Sequence, residues 1–141
     1  MQGLFGEVKA IAVHPSEPGT IVAGTPSGLY MSRNGGDTFV LISSMPSVFA
    51  VSFDRSGDAV WFGTYERAAK LVRLDLKANF AVRELPVPPH QGDAIAHIAF
   101  DPSNEGEMAI ATTLRNLFVS RNEGSNWVQL LHEGVPVKST F

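Results

Sequence analysis

The sequence predicts an all-β fold of three four-stranded antiparallel units, and three observations carry that prediction. The octapeptide SRNGGDTF (32–39) returns as SRNEGSNW (120–127). Its flanks return with it: IAVHP (11–15) matches IAFDP (98–102), IVAGT (21–25) matches AIATT (109–113), and GLYMSRN (28–34) matches NLFVSRN (116–122). Finally, nothing along the chain sustains a helical apolar period, whereas short alternating or β-branched runs recur between turn signals.

A worn third copy lies between the two good ones. There VSFDR (51–55) replaces IAVHP, VWFGT (60–64) replaces IVAGT, and RLDLKANF (73–80) stands where the octapeptide belongs, which sets Asp75 against Asn34 and Asn122. The chain thus reads as a single domain, 1–141, of three units over about 8–44, 48–85 and 94–134. In the first unit strands are expected near 8–14, 20–24, 28–32 and 38–42. The second gives 48–53, 58–63, 69–74 and 79–85, with ERAAKL (66–71) assigned to a hairpin rather than a helical turn. The third gives 94–100, 107–112, 116–120 and 126–132. The stretch PVPPHQG (86–92) is extra length between units two and three, a stiff spacer by composition.

Composition narrows the function classes. Hydrophobic residues make up 44% and charged residues 18%, with a net charge of −3, an ordinary globular balance. The 11 Lys and Arg are scattered, which leaves no electrostatic footprint for nucleic acid or an anionic membrane. With 0 Cys, thiolate metal sites, disulfides and cysteine nucleophiles are excluded. The opening MQGLFGEVKAIAVHP has neither a basic segment nor a long apolar run, so neither signal peptide nor membrane span is expected, and the compartment stays unassigned.

The octapeptides fit the pattern S-x-D-x-G-x-x-W. On it the chain resembles the BNR/Asp-box family of β-propeller repeats, found in sialidases, sortilin-type receptors, xyloglucanases and photosystem II assembly factors. Ser32, Asn34, Gly36 and Phe39 fill the pattern once, and Ser120, Asn122, Gly124 and Trp127 fill it again; Asn replaces Asp in both, and Phe39 replaces Trp. The middle copy keeps Asp75 and Phe80 but has Arg73 for Ser and Lys77 for Gly, so a distorted turn is expected there. The resemblance implies a structural role, closing the hairpin between a blade's third and fourth strands on the side away from the ligand face. Short polar side chains bond the turn's backbone, the Gly takes positive φ, and the aromatic anchors the blade.

Full propellers have about 4–8 blades, and three are encoded here. A three-blade arc leaves two sheet faces without neighbours, and exposed apolar surface of that extent marks an interface. The expectation is self-association, two chains meeting head to tail in a six-bladed ring; a piece of a longer propeller, or an arrangement short of a toroid, are the alternatives.

Reactive chemistry is sparse. His14, His90, His97 and His132 offer no metal-ligand spacing, and no metal or cofactor is expected. His14 reads as a turn residue. His97 aligns with Ala10 and Ala50 and so faces the channel or an adjacent blade, with a satisfied interface histidine as the plainer role. Sialidase-type catalysis needs an arginine triad, a Tyr–Glu pair and an acid, which Tyr65, Glu66 and Arg67 alone do not assemble. No phosphate loop, dinucleotide fingerprint, nucleophile elbow or zincin motif occurs. Strand order puts the second-to-third-strand turns and the inter-unit links on one face, making Tyr65, Glu66, Arg67, His90, Asp93 and Arg115 the candidate ligand contacts, or else a solvated rim. The expected role is a non-catalytic binding or assembly module with a protein or carbohydrate ligand; the alternative is part of a sialidase- or xyloglucanase-like glycoside hydrolase.

Overall fold

In the computed structural model, which describes residues 3–4, 6–85, 87–88 and 92–137, the chain is an arc of three antiparallel sheets with no helix among those residues. Blade 1 holds β1 (Ala10–Val13), β2 (Ile21–Thr25), β3 (Gly28–Ser32) and β4 (Val40–Ser43). Blade 2 holds β5 (Ala50–Phe53), β6 (Ala59–Glu66), β7 (Ala68–Asp75) and β8 (Ala81–Leu85). Blade 3 holds β9 (Ile95–Phe100), β10 (Met108–Thr112), β11 (Leu117–Ser120) and β12 (Val128–His132), and gains a short fifth strand, β13 (Val135–Pro136), that the sequence reading did not anticipate. Each strand pairs with its sequence neighbour.

Alternation along the strands builds two cores, one in each gap between blades. Val22, Leu29 and Met31 of blade 1 meet Val60, Phe62, Val72 and Leu74 of blade 2. The opposite face of blade 2 sends Trp61 and Leu71 against Ile95, Met108, Ile110 and Phe118 of blade 3. Each large side chain so buried contributes roughly 1.5–3 kcal/mol. Close approach depends on glycine: a Cβ on Gly24 would lie 2.5 Å from the Val48 carbonyl oxygen, and one on Gly63 would lie 2.8 Å from the Ile95 Cβ.

His14 does more than end a turn. Its Nδ1 accepts the amides of Ser16 (3.0 Å) and Glu17 (2.9 Å), which leaves the proton on Nε2, and Nε2 donates 3.0 Å to the Gly57 carbonyl of the next blade. The buried imidazole therefore fastens blade 1 to blade 2, against the Phe53 ring.

The two end faces lack a neighbouring blade. On blade 1, Ala23, Tyr30 and Phe39 are buried with Leu4 lying over them, while Ile11, Val13 and Leu41 on the same face stay exposed. On blade 3 the open face carries His97, Ala109, Val119, Val128 and Leu130. His97 pairs with Ala111 as Ala10 pairs with Gly24 and Ala50 with Gly63; it is exposed on the face that in the other blades meets the next sheet.

Two register assignments need correction. Ile21 lies opposite Ser32 and Met108 opposite Ser120, so IVAGT corresponds to MAIAT (108–112), one residue earlier than AIATT. In the middle unit Val60 faces Leu74, which places Leu74 at the Ser32 register and Asp75 at that of Arg33 rather than Asn34. The β7–β8 ladder runs on to the pair Asp75–Ala81, and Asn79 (φ 53) and Phe80 (φ 57) both turn left-handed beyond it. Phe80 is consequently 40% exposed and anchors nothing in the way proposed for Phe39 and Trp127.

Candidate functional site

The two good octapeptides form matching hydrogen-bonded turns. Ser32 Oγ donates to Asn34 Oδ1 (2.9 Å) and accepts the Gly36 amide (2.9 Å), while Asn34 Oδ1 also accepts the Thr38 amide (3.0 Å). Ser120 Oγ repeats this with Asn122 Oδ1 (2.9 Å) and the Gly124 amide (2.8 Å), and Asn122 Oδ1 accepts Asn126 N at 2.9 Å. Gly36 (φ 95) and Gly124 (φ 83) adopt the left-handed backbone that the turn demands. Each turn is also tied to the first hairpin of its blade, by Gly35 N to Gly19 O and by Glu123 N to Gly106 O, both 2.9 Å. Phe39 seals blade 1, and Trp127 packs onto the core between blades 2 and 3. Because Ser120 is buried, Ser120→Ala leaves the Gly124 amide without its acceptor, and a loss of about 1–2 kcal/mol is expected in urea denaturation.

The opposite rim gathers most of the candidate contacts. The β6–β7 hairpin is longer than its counterparts: its ladder continues past Thr64–Lys70 through Tyr65–Ala69 to Glu66–Ala68, with Arg67 (φ 71) at the apex. In blade 1 the corresponding ladder stops at Thr25–Gly28. Glu66 and Arg67 are exposed, and the Tyr65 hydroxyl accepts the Gly92 amide at 2.9 Å, joining the hairpin to the link before blade 3. Arg115 (φ 64) is exposed at the β10–β11 turn, where its carbonyl accepts the Gly134 amide at 2.8 Å. His90 lies outside the described residues.

Asp93 departs from expectation. It is 1% exposed and occupied: it accepts Asn116 Nδ2 (2.8 Å), the Leu114 amide (2.9 Å) and the Thr113 hydroxyl (3.1 Å). Burial acts to raise its pKa, but hydrogen bonds from Thr112, Asn116, Leu114 and Thr113 together outweigh burial and hold it below the ordinary value. Asn116 carries the chain of bonds onward, its Oδ1 accepting the Glu133 amide (2.9 Å) and Gln129 Nε2 (3.2 Å). Asp93 thus fastens the link, the β10–β11 turn and the β12–β13 hairpin together, buried and held by three donors rather than presented to a ligand. The signal readable in sequence was a lone Asp before a strand; its donors lie some twenty residues away, beyond local pattern.

Among the described residues no three His, Cys, Asp or Glu side chains come together in a way that could hold a metal ion. No helix of these residues is long and apolar enough to cross a membrane.

These sheets and their stacking define part of a β-propeller. The sequence matches no protein-family model and no curated protein. Solved structures do match. YCF48 bound to D1 peptide superposes with a TM-score of 0.68 at 19% identity, over 90% of this chain and 41% of that one. An ancestral GH74 enzyme gives 0.68 at 19% identity, over 85% and 18%, and YCF48 from Cyanidioschyzon merolae gives 0.66 at 20%, over 88% and 37%. The chain therefore spans less than half the length of each of these proteins, and at such identities the likeness is one of fold.

Proposed function

We propose that the chain is a non-catalytic binding or assembly module, a half-ring of propeller blades built on Asp-box fasteners. The observation that carries this reading is the pair of open blade faces. Ile11, Val13 and Leu41 at one end, and Val128 and Leu130 at the other, are exposed on sheet faces of the kind that the two internal gaps bury. Apolar surface of that kind is an interface in waiting. A second copy meeting the first head to tail buries both faces and completes six blades about a two-fold axis. The ligand of the assembled module is a protein segment, met by the projecting Tyr65–Ala69 hairpin with exposed Glu66 and Arg67 and by Arg115. A propeller neighbour that holds a peptide makes this the favoured ligand class.

The second reading, part of a glycoside hydrolase, draws on the ancestral GH74 neighbour, of which this chain spans 18%. Titrating the ¹⁵N-labelled chain with an immobilisable random nonapeptide pool and with a xyloglucan oligosaccharide separates the two. Amide shifts confined to residues 65–69 and 114–116, appearing with peptide and reduced at least about fivefold in affinity by Arg67→Ala, are expected. Oligosaccharide shifts accompanied by release of reducing ends would transfer the case to the hydrolase.

A further inference from the structure

Blades 1 and 3 carry the same kind of outer edge, and only one of the two is covered. Leu29 pairs with Ser43 and Tyr30 with Leu41, just as Leu117 pairs with Leu131 and Phe118 with Gln129. Ile42 and Leu130 are therefore the same bulged residue, left out of the ladder to the inner neighbour. In blade 3 the Leu130 carbonyl accepts Val137 N at 2.9 Å, from the strand that also sets Pro136 against Leu131 and Val135 against His132. In blade 1 no strand lies beyond β4 among the described residues, and Val40 and Leu41 stand 65% and 47% exposed along it. The β8 edge of blade 2 is also open, but it pairs with β7 without a bulge.

The side chains beside these two edges correspond as well. Met31, Arg33, Val40 and Ile42 hold the places of Val119, Arg121, Val128 and Leu130, and each set lines a groove. The blade 1 groove is the larger, about 340 Å³ against about 190 Å³, and Phe80 of blade 2 adds a further wall to it. The two grooves differ in charge. Arg121 is paired with Glu107 at 3.1 Å, whereas Arg33 is exposed and makes no ion pair among the described residues. No carboxylate lines its groove among those residues.

We propose that the outer edge of β4 binds an extended segment of another protein as an added antiparallel strand, in the place that β13 fills on β12. The bound strand donates a backbone N–H to the Ile42 carbonyl, as Val137 does to Leu130. Residues opposite one another in an antiparallel pair share a face. The residue opposite Ile42 and the one two further on, opposite Val40, thus both project over the groove. The strand then runs toward Thr38, where a carboxylate another two residues on meets the unpaired Arg33. The recognised pattern is apolar-x-apolar-x-acidic, with main-chain bonds supplying affinity and the groove supplying specificity. The site lies on the octapeptide side, at the gap between blades 1 and 2, so it depends neither on the Tyr65 hairpin nor on closure into a ring.

The test titrates the ¹⁵N-labelled chain with the capped peptide Ac-Thr-Val-Thr-Val-Thr-Glu-NH2. Saturable amide shifts confined to residues 33–34, 38–44 and 79–80 are expected. N-methylation of the first valine removes the donor to Ile42 and crowds the edge, and should weaken binding at least about fivefold. Replacing the terminal Glu by Gln should weaken it about twofold to fivefold, and that difference should vanish in the Arg33→Gln protein. Both peptide comparisons use the unaltered chain, so they decide even where the variant misfolds. No saturable shift up to about 5 mM peptide, equal binding of either altered peptide, or shifts centred on residues 65–69 or on the open end faces overturns the proposal.

Discussion

Gly24→Ala is expected to destabilise the protein by about 3 kcal/mol or more, read as a lowered urea midpoint by tryptophan fluorescence. The new methyl would sit 2.5 Å from the Val48 carbonyl oxygen and 2.8 Å from the Val48 Cγ1. Neither can retreat cheaply, because the link carrying Val48 is pinned to the β2–β3 turn by Val48 N to Thr25 O (3.0 Å) and Ser47 N to Pro26 O (2.9 Å). Blades 1 and 2 must separate, opening the core around Val22 and Phe62. The control is Ala111→Gly, at the corresponding register of blade 3 but on its open side, which should cost no more than about 1 kcal/mol. An unchanged midpoint for Gly24→Ala would contradict the tight contact between blades.

Asp93→Ala should cost about 3 kcal/mol, for a different reason. It leaves Asn116 Nδ2, the Leu114 amide and the Thr113 hydroxyl without their acceptor in a site that is nearly closed to water. The same carboxylate predicts the acid limb of the stability curve. Its folded pKa lies below the unfolded value, so the stabilisation is complete above the unfolded pKa of about 3.9 and is lost as pH falls through the folded one. Asp101 titrates with the same sign, held well below the usual carboxylate range by the Ser103 amide, Asn104 and the Ser103 hydroxyl. Stability of the wild type should therefore decline below about pH 4, and the decline should be shallower in Asp93→Ala. A wild-type curve flat to about pH 2 would count against both assignments.

Most of the strand layout was legible because it rests on short-range alternation, and among the described residues β1 to β12 all overlap the runs that the repeats mark out. Errors arose where residue type and ladder count disagree. Thr112 and Thr113 both suit the place of Thr25; the choice is made by the Asn116 amide bonding Thr112 Oγ1, a contact that pattern matching cannot see. Asp75 looked like the Asn of the octapeptide, yet the longer ladder of β7 shifts it by one and turns Phe80 outward. Partners distant in sequence were invisible for the same reason. His14 answers to Gly57 in the next blade, and Asp93 to the β10–β11 turn. The short fifth strand carries Val135–Pro136, too brief to register as a periodic run.

The open end faces remain the feature on which the functional reading turns. His97 occupies the one inner-strand position where the other blades place alanine against the following sheet, and Leu4 already lies over part of the blade 1 face. Head-to-tail closure must accommodate both. The most direct measurement is solution mass by light scattering across a dilution series. Closure predicts a species of about twice the 15.2 kDa chain mass that dissociates on dilution and is weakened by Val13→Asp on the exposed blade 1 face. A folded 15.2 kDa monomer persisting up to about millimolar concentration would contradict it.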